Sequence, residues 1–132
     1  MEQVIDLDRA AVEVTERRRT WERQGLTVGH MTWRDEVAPW PKHLETDRSS
    51  VTEPDSIGIL ITGPSDAELS VILFRGGWAD IDFMADVDDA GMIPASDISS
   101  AQAFGDLLDR CVTRTFGLKG SGHTPPQATP WA

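Results

Sequence analysis

Five aspartates, Asp80, Asp82, Asp86, Asp88 and Asp89, fall within residues 80–89, inside the stretch GGWADIDFMADVDDAGMIPASD that runs from Gly76 to Asp97. Carboxylates at that density suit three kinds of chemistry. Two of them two residues apart on a strand share a face and can act as an acid and a base. A loop of them can hold calcium. An exposed row of them attracts a basic partner. The acid–base reading finds no support around it, because no phosphate-cradling glycine loop and no nucleophile elbow accompanies the pair. Gly63, Gly76 and Gly77 read as turn residues, and Ser49, Ser50 and Ser70 stand in no nucleophile context. The calcium reading is a partial match. Asp86, Asp88, Gly91, Ile93 and Asp97 take positions one, three, six, eight and twelve of the helix-loop-helix pattern. Ala90 at position five offers no side-chain oxygen, Pro94 occupies position nine, Asp97 replaces the longer bidentate Glu, and the incoming element reads as a strand.

Other metal chemistry is equally poorly served. His30, His43 and His123 lie in three separate segments without ligand spacing, and the lone Cys111 excludes a cysteine-based zinc site and an intrachain disulfide. Cys111 sits among apolar residues at helical spacing and reads as a small buried hydrophobe. The expectation is a chain with no metal, no cofactor and no enzymatic activity.

The period of a strand divides the aspartate-rich stretch into two sets. Over WADIDFMAD (78–86), Ala79, Ile81, Phe83 and Ala85 form one face, while Trp78, Asp80, Asp82, Met84 and Asp86 form the other. The first set belongs to a core. Unpaired aspartates are costly to bury, so the second face is expected to stay open in the free protein. An exposed tryptophan flanked by carboxylates suits a protein interface. Asp88 and Asp89 fall in the following turn, and Asp97 is placed to cap a helix.

The elements that would position this face follow from periodicity. Leu7, Ala10, Ala11, Val14 and Trp21 make one face of a helix over residues 6–24, with Asp6 or Asp8 as its cap and Gly25 as its stop. Its other face, rich in Glu and Arg, suits solvent. LTVGHMTWR (26–34) alternates as a first strand, with Leu26, Val28 and His30 on one side. Residues 35–56 contain three prolines and little that is apolar, giving a loop unusually long for a compact domain, either a binding loop or a mobile segment. IGILITG (57–63) and ELSVILFRGG (68–77) are near-continuous apolar runs expected to lie centrally with both faces covered. With WADIDFMAD they form an antiparallel meander, and the residues around Met92–Pro94 form a short edge strand. Ser96 or Asp97 would cap a second helix through Ile98, Ala101, Phe104, Leu107 or Leu108, Cys111, Val112 and Phe116, ended by Gly117. The expected fold is α+β: a four- to five-stranded, mainly antiparallel sheet with the N- and C-terminal helices packed on one face. Residues 1–117 form the single domain, and 118–132, rich in proline and glycine, form a flexible tail.

The bulk numbers fit one domain of 132 residues with a formal charge of −10 and an isoelectric point near 4.5. That balance opposes direct binding to nucleic acid and to anionic membranes and favours a basic protein partner. The N-terminus lacks the basic and apolar regions of a secretion signal, and no apolar run is long enough to span a membrane, so the cytoplasm is the expected compartment.

FRGGWADIDFM followed by GMIPASDISSAQAFGDLLDRCV resembles, in layout, the small acidic immunity proteins of bacterial polymorphic-toxin systems, particularly those of actinobacteria. The shared features are a Gly-Trp-initiated strand with acidic alternation, a short Ile-Pro segment and a C-terminal amphipathic helix, over roughly residues 57–117. The resemblance implies a protein that neutralises a cognate toxin by binding it, and a basic toxin cleft would complement an acidic face. The residues expected to meet such a partner are Trp78, Asp80, Asp82 and Asp86 on the strand, with Trp40, Glu45 and Asp47 in the long loop. Two other classes fit the same features: a small acidic chaperone or adaptor for a secreted protein, and a small enzyme or ligand-binding domain using the open sheet face.

Overall fold

The computed structural model describes residues 1–117, so the expected tail at 118–132 lies outside the described residues. Helix α1 spans Leu7–Arg23. Its cap is Asp6, whose carboxylate accepts from the backbone N–H of Asp8 at 2.9 Å and of Arg9 at 3.2 Å. Leu7, Ala10, Val14 and Trp21 are its buried residues, and they are the face the sequence periodicity marks. The strands are β1 (Thr27–Val28), β2 (Thr32–Asp35), β3 (Pro54–Thr62), β4 (Glu68–Phe74), β5 (Trp78–Asp86) and β6 (Asp89–Met92). Helix α2 (Ala101–Phe116) closes the described chain, and Gly117 ends it in the left-handed conformation. The fold is therefore α+β, with a six-stranded antiparallel sheet in which β1 and β2 both border β3, followed by β4, β5 and β6. Both helices lie on one face: α1 touches β1, β3 and α2, and α2 touches β4 and β5. Among the described residues no helix is long and apolar enough to cross a membrane.

The sheet has more strands than expected because residues 26–34 do not form one strand. Val28 pairs with Ile61 and Thr32 with Gly58, so four steps along the edge answer three along β3. The extra residue makes a bulge and reverses the inside–outside phase. Leu26 and Val28 are buried before it and Trp33 after it, while His30 is exposed. The edge strand expected around Met92–Pro94 is present as β6 but lies earlier in the chain. Asp86 pairs with Asp89 across a two-residue turn, so the strand starts at Asp89 and ends at Met92, where the expected one began. Asp89 thus belongs to a strand and not to the turn.

The helix cap is also displaced from where the sequence places it. Ser96 and Asp97 precede the helix, and Ser100 caps it, its Oγ accepting from the N–H of Ala103 at 3.0 Å. Residues 95–98 lie beside the sheet outside any helix or strand, with Ala79 N–H donating to the Ala95 carbonyl at 3.0 Å and Ile98 N–H to the Gly77 carbonyl at 2.8 Å. Ile98 is buried ahead of the helix. One core joins both helices to the inner face of the sheet, through Val14, Trp21, Ile61, Leu69, Val71, Leu73, Ile81, Phe104 and Leu108. Cys111 is fully buried within it, and burial pushes its thiol up to about 12. Arg17 ties the helices together, donating from Nη1 to Glu13 Oε1 at 2.8 Å and from Nε to Asp109 Oδ1 at 2.8 Å.

The long loop is pinned at its base. Asp35 is buried, and its carboxylate accepts from the N–H groups of Thr52 at 2.9 Å, Glu53 at 3.0 Å and Val37 at 3.2 Å. The bonds from Thr52 and Glu53 hold this acid below the usual carboxylate range. Midway along the loop, Trp33 and Glu45 exchange two backbone hydrogen bonds, at 2.8 and 2.9 Å. Further on, Arg48 lies over the Trp33 ring at 5.2 Å and donates from Nε to Asp8 of α1 at 2.7 Å.

Candidate functional site

With both helices on one side, the other face of the sheet is left uncovered. On β3 the inward residues are Ile57, Ile59 and Ile61, and on β4 they are Leu69, Val71 and Leu73. Between them Leu60 is 44% exposed and Ile72 is 38% exposed. Neither strand is covered on both faces, contrary to the expectation from their apolar runs. Gly58, Thr62, Glu68 and Ser70 carry the signal that marks an open side, since they alternate with the inward residues.

Strand register sets neighbours on this face. Arg34, Ser56, Phe74 and Trp78 are successive partners across β2, β3, β4 and β5. Thr32, Gly58, Ile72 and Asp80 form the next row, and Leu60, Ser70, Asp82 and Met92 the row beyond, ending on β6. In the first row Phe74 and Trp78 stack, with ring centroids 5.4 Å apart and planes at 20°. The guanidinium of Arg34 lies over the Phe74 ring at 5.8 Å. Arg34 is itself fixed by Asp55, through Nε to Oδ1 at 2.8 Å and Nη2 to Oδ2 at 3.0 Å. Asp55 is 1% exposed. Burial pushes its carboxyl up, but the hydrogen bonds and charge of Arg34, with help from Glu36 and Lys42, outweigh this and leave it below the usual range. A buried carboxylate therefore positions a cation, which covers one side of an aromatic pair, and such a pair contributes about 0.5–1.5 kcal/mol beyond burial.

Trp78 is held from below as well. A Cβ built on Gly76 would lie 2.1 Å from a carbon of the indole, so the ring rests where only glycine leaves room. Trp78 nonetheless remains 40% exposed. Asp80 and Asp82 are exposed on the same face and form no ion pair or side-chain hydrogen bond among the described residues. The alternation read from the sequence is present: Ala79 and Ile81 are buried, and Trp78, Asp80, Asp82 and Asp86 are exposed.

The seven residues expected to meet a partner fall into two groups. Trp78, Asp80 and Asp82 line up along β5. Asp86 lies at the end of that strand, beyond an irregularity in the β5–β6 register after Met84. The loop residues sit at the opposite edge. Glu45 pairs with Trp33, four strand positions from Ala79, or roughly 19 Å by strand spacing. Directly paired residues point to the same side of a sheet, and Trp33 is buried with the core, so register turns Glu45 away from the open face. Asp47 caps the short helical turn Arg48–Ser50, accepting from the hydroxyl and N–H of Ser49 at 2.7 and 3.0 Å, which hold its carboxyl low. Trp40, 85% exposed beside a cis peptide bond to Pro41, borders a cleft of the loop together with Glu45 and His43, apart from the β5 residues.

Leu60, Ile72, Phe74 and Arg34 belong to the uncovered face and escape a reading that treats β3 and β4 as fully covered. The segment 86–97, a partial match to a calcium loop, is the end of β5, a hairpin turn, β6 and an irregular run beside the sheet. Among the described residues no group of three or more His, Cys, Asp or Glu is arranged to hold a metal ion. No protein-family model matches the chain, and comparison with curated proteins and with solved structures finds no match.

Proposed function

We propose that this chain is a non-enzymatic protein-binding module, an immunity or inhibitor protein that neutralises a basic toxin by docking on it through the open face of β3, β4 and β5. One observation carries the reading. Leu60, Ile72 and the Phe74–Trp78 stack form an uncovered apolar strip bordered by the unpaired carboxylates of Asp80 and Asp82. Contiguous exposed apolar surface of this kind is a feature of interaction sites, and a rim of one charge selects partners of the other. The formal charge of −10 draws a basic surface toward it from a distance.

The reading is tested by co-expressing the chain with a basic toxin domain encoded beside its gene. The expected result is a stable complex, protection of the host, and an association rate that falls as salt rises. Trp78→Ala combined with Asp80→Lys should break the complex while the protein stays folded, because both side chains are exposed. A complex of unchanged affinity in that double variant would remove the open face as the docking surface.

A further inference from the structure

Beside Trp78 the molecule has a cleft of about 370 Å³ at the end of the sheet, lined by Trp78, Asp97, Ser96, Ser99, Ile98 and Val4, with Gly76 and Gly77 at its base. Its walls are fixed by backbone bonds. Ile98 N–H donates to Gly77 at 2.8 Å, and Val4 N–H donates to the Arg75 carbonyl at 2.7 Å. Trp78 cannot swing toward Phe74, which already stacks on it, and rests against Gly76. Asp97 is exposed, takes a left-handed backbone conformation with φ of 55°, and forms no ion pair or side-chain hydrogen bond among the described residues. An indole wall, a free carboxylate and two hydroxyls thus border a cleft whose remaining side chains are apolar.

We infer that this cleft receives an arginine side chain of the protein partner, an inference that rests on the docking face proposed above. The chemistry selects the occupant in three steps. A carboxylate in a chain of charge −10 rejects an anion and favours a cation. An indole attracts a cation, and a flat, weakly hydrated guanidinium stacks on it better than a compact, strongly hydrated ammonium. The guanidinium also presents several N–H donors in a plane, enough to meet the Asp97 carboxylate and the hydroxyls of Ser96 and Ser99 together, while its methylene stem lies against Val4 and Ile98. The Arg34–Phe74–Trp78 row already places a guanidinium on an aromatic ring. The partner's arginine would add a second cation at the other end of the same row.

The subsite is tested without the partner, on the full chain, by titrating N-acetyl-arginine methylamide and following the indole N–H signal of Trp78, assigned through its absence in Trp78→Phe. The signal should shift saturably with the arginine amide and more weakly with the lysine amide. It should not respond to the citrulline amide, which has the same shape without the charge. Asp97→Asn keeps a residue that tolerates the left-handed conformation and should weaken arginine binding by about fivefold or more. Equal responses to arginine and citrulline, an unchanged affinity in Asp97→Asn, or no saturable shift would each overturn the inference. The two proposals fail separately. A toxin complex that Trp78→Ala with Asp80→Lys breaks, together with a silent arginine titration, removes the subsite and leaves the docking face. A saturable, Asp97-dependent arginine titration without a toxin complex supports the subsite and removes the docking role.

Discussion

The Asp89 carboxylate of β6 holds the Arg114 guanidinium of α2 through two hydrogen bonds, Nη1 to Oδ2 at 2.7 Å and Nη2 to Oδ1 at 2.6 Å. The same guanidinium lies 4.7 Å from the centre of the Phe83 ring on β5. One arginine from the last described helix thus ties down the outermost hairpin of the sheet. Removing the carboxylate in Asp89→Ala should leave β3 and β4 intact and loosen β6. Amide exchange should become several-fold faster at the β6 positions bonded to β5, with wild-type rates retained in β3 and β4. Uniformly faster exchange would mean that the pair supports the whole fold instead.

Two adjacent residues of β5 should differ sharply in what they contribute to stability. Ile81 is fully buried, and Ile81→Ala should cost about 2–5 kcal/mol in urea unfolding. Asp80 is exposed and unpaired among the described residues, and Asp80→Ala should leave the urea midpoint unchanged while weakening a toxin complex.

Thr115 in α2 is buried, and its hydroxyl has no hydrogen-bond partner among the described residues. Replacing it with the isosteric Val removes an unsatisfied oxygen at constant shape. Thr115→Val should raise stability by about 1 kcal/mol, read as a higher urea midpoint at unchanged slope.

Acid should destabilise the fold through a defined set of carboxylates. Hydrogen bonds from Arg48 to Asp8, from Arg114 to Asp89 and from backbone N–H groups to Asp35 hold these acids below their ordinary range. In the window between the lowered folded values and the ordinary unfolded ones, the unfolded chain binds more protons, so stability rises with pH there. The contribution is complete above the unfolded values near pH 4 and is lost as pH falls through the folded ones. Urea midpoints should be flat from pH 7 to about 5 and then drop, since carboxylates titrate in that acid range. Asp35→Asn should start lower at pH 7, because an amide cannot accept all three N–H groups, and should show a shallower acid drop.

Much of this architecture is legible in the sequence wherever one rule decides the outcome. The α1 face, the β5 alternation, the Gly117 stop and the burial of Cys111 all follow from period and side-chain type. Three features do not, because each depends on a distant segment. The single extra residue before Thr32 shows itself only against β3, where it turns Trp33 inward. The helix cap moves to Ser100 because Gly77 and Ala79 hold residues 95–98 beside the sheet. The open face of β3 and β4 is masked by Leu60 and Ile72, apolar residues on the outer side where a polar one is the usual marker. The candidate site is legible in part. Trp78, Asp80 and Asp82 are placed together, whereas Glu45 and Asp47 serve the loop at the far edge.

The alternation along β5 leaves this strand carrying two texts that can be edited separately. The outward positions Asp80 and Asp82 can be rewritten one residue at a time without disturbing Ile81 and the core beneath. Under the proposed docking role, a chain built this way could change its recognition target while keeping its scaffold, since the outward residues of β5 are not those that form the core. The freedom has one fixed point. Gly76 must stay small for an aromatic residue to lie where Trp78 lies, so the vocabulary of the outer face can change while its anchor stays in place.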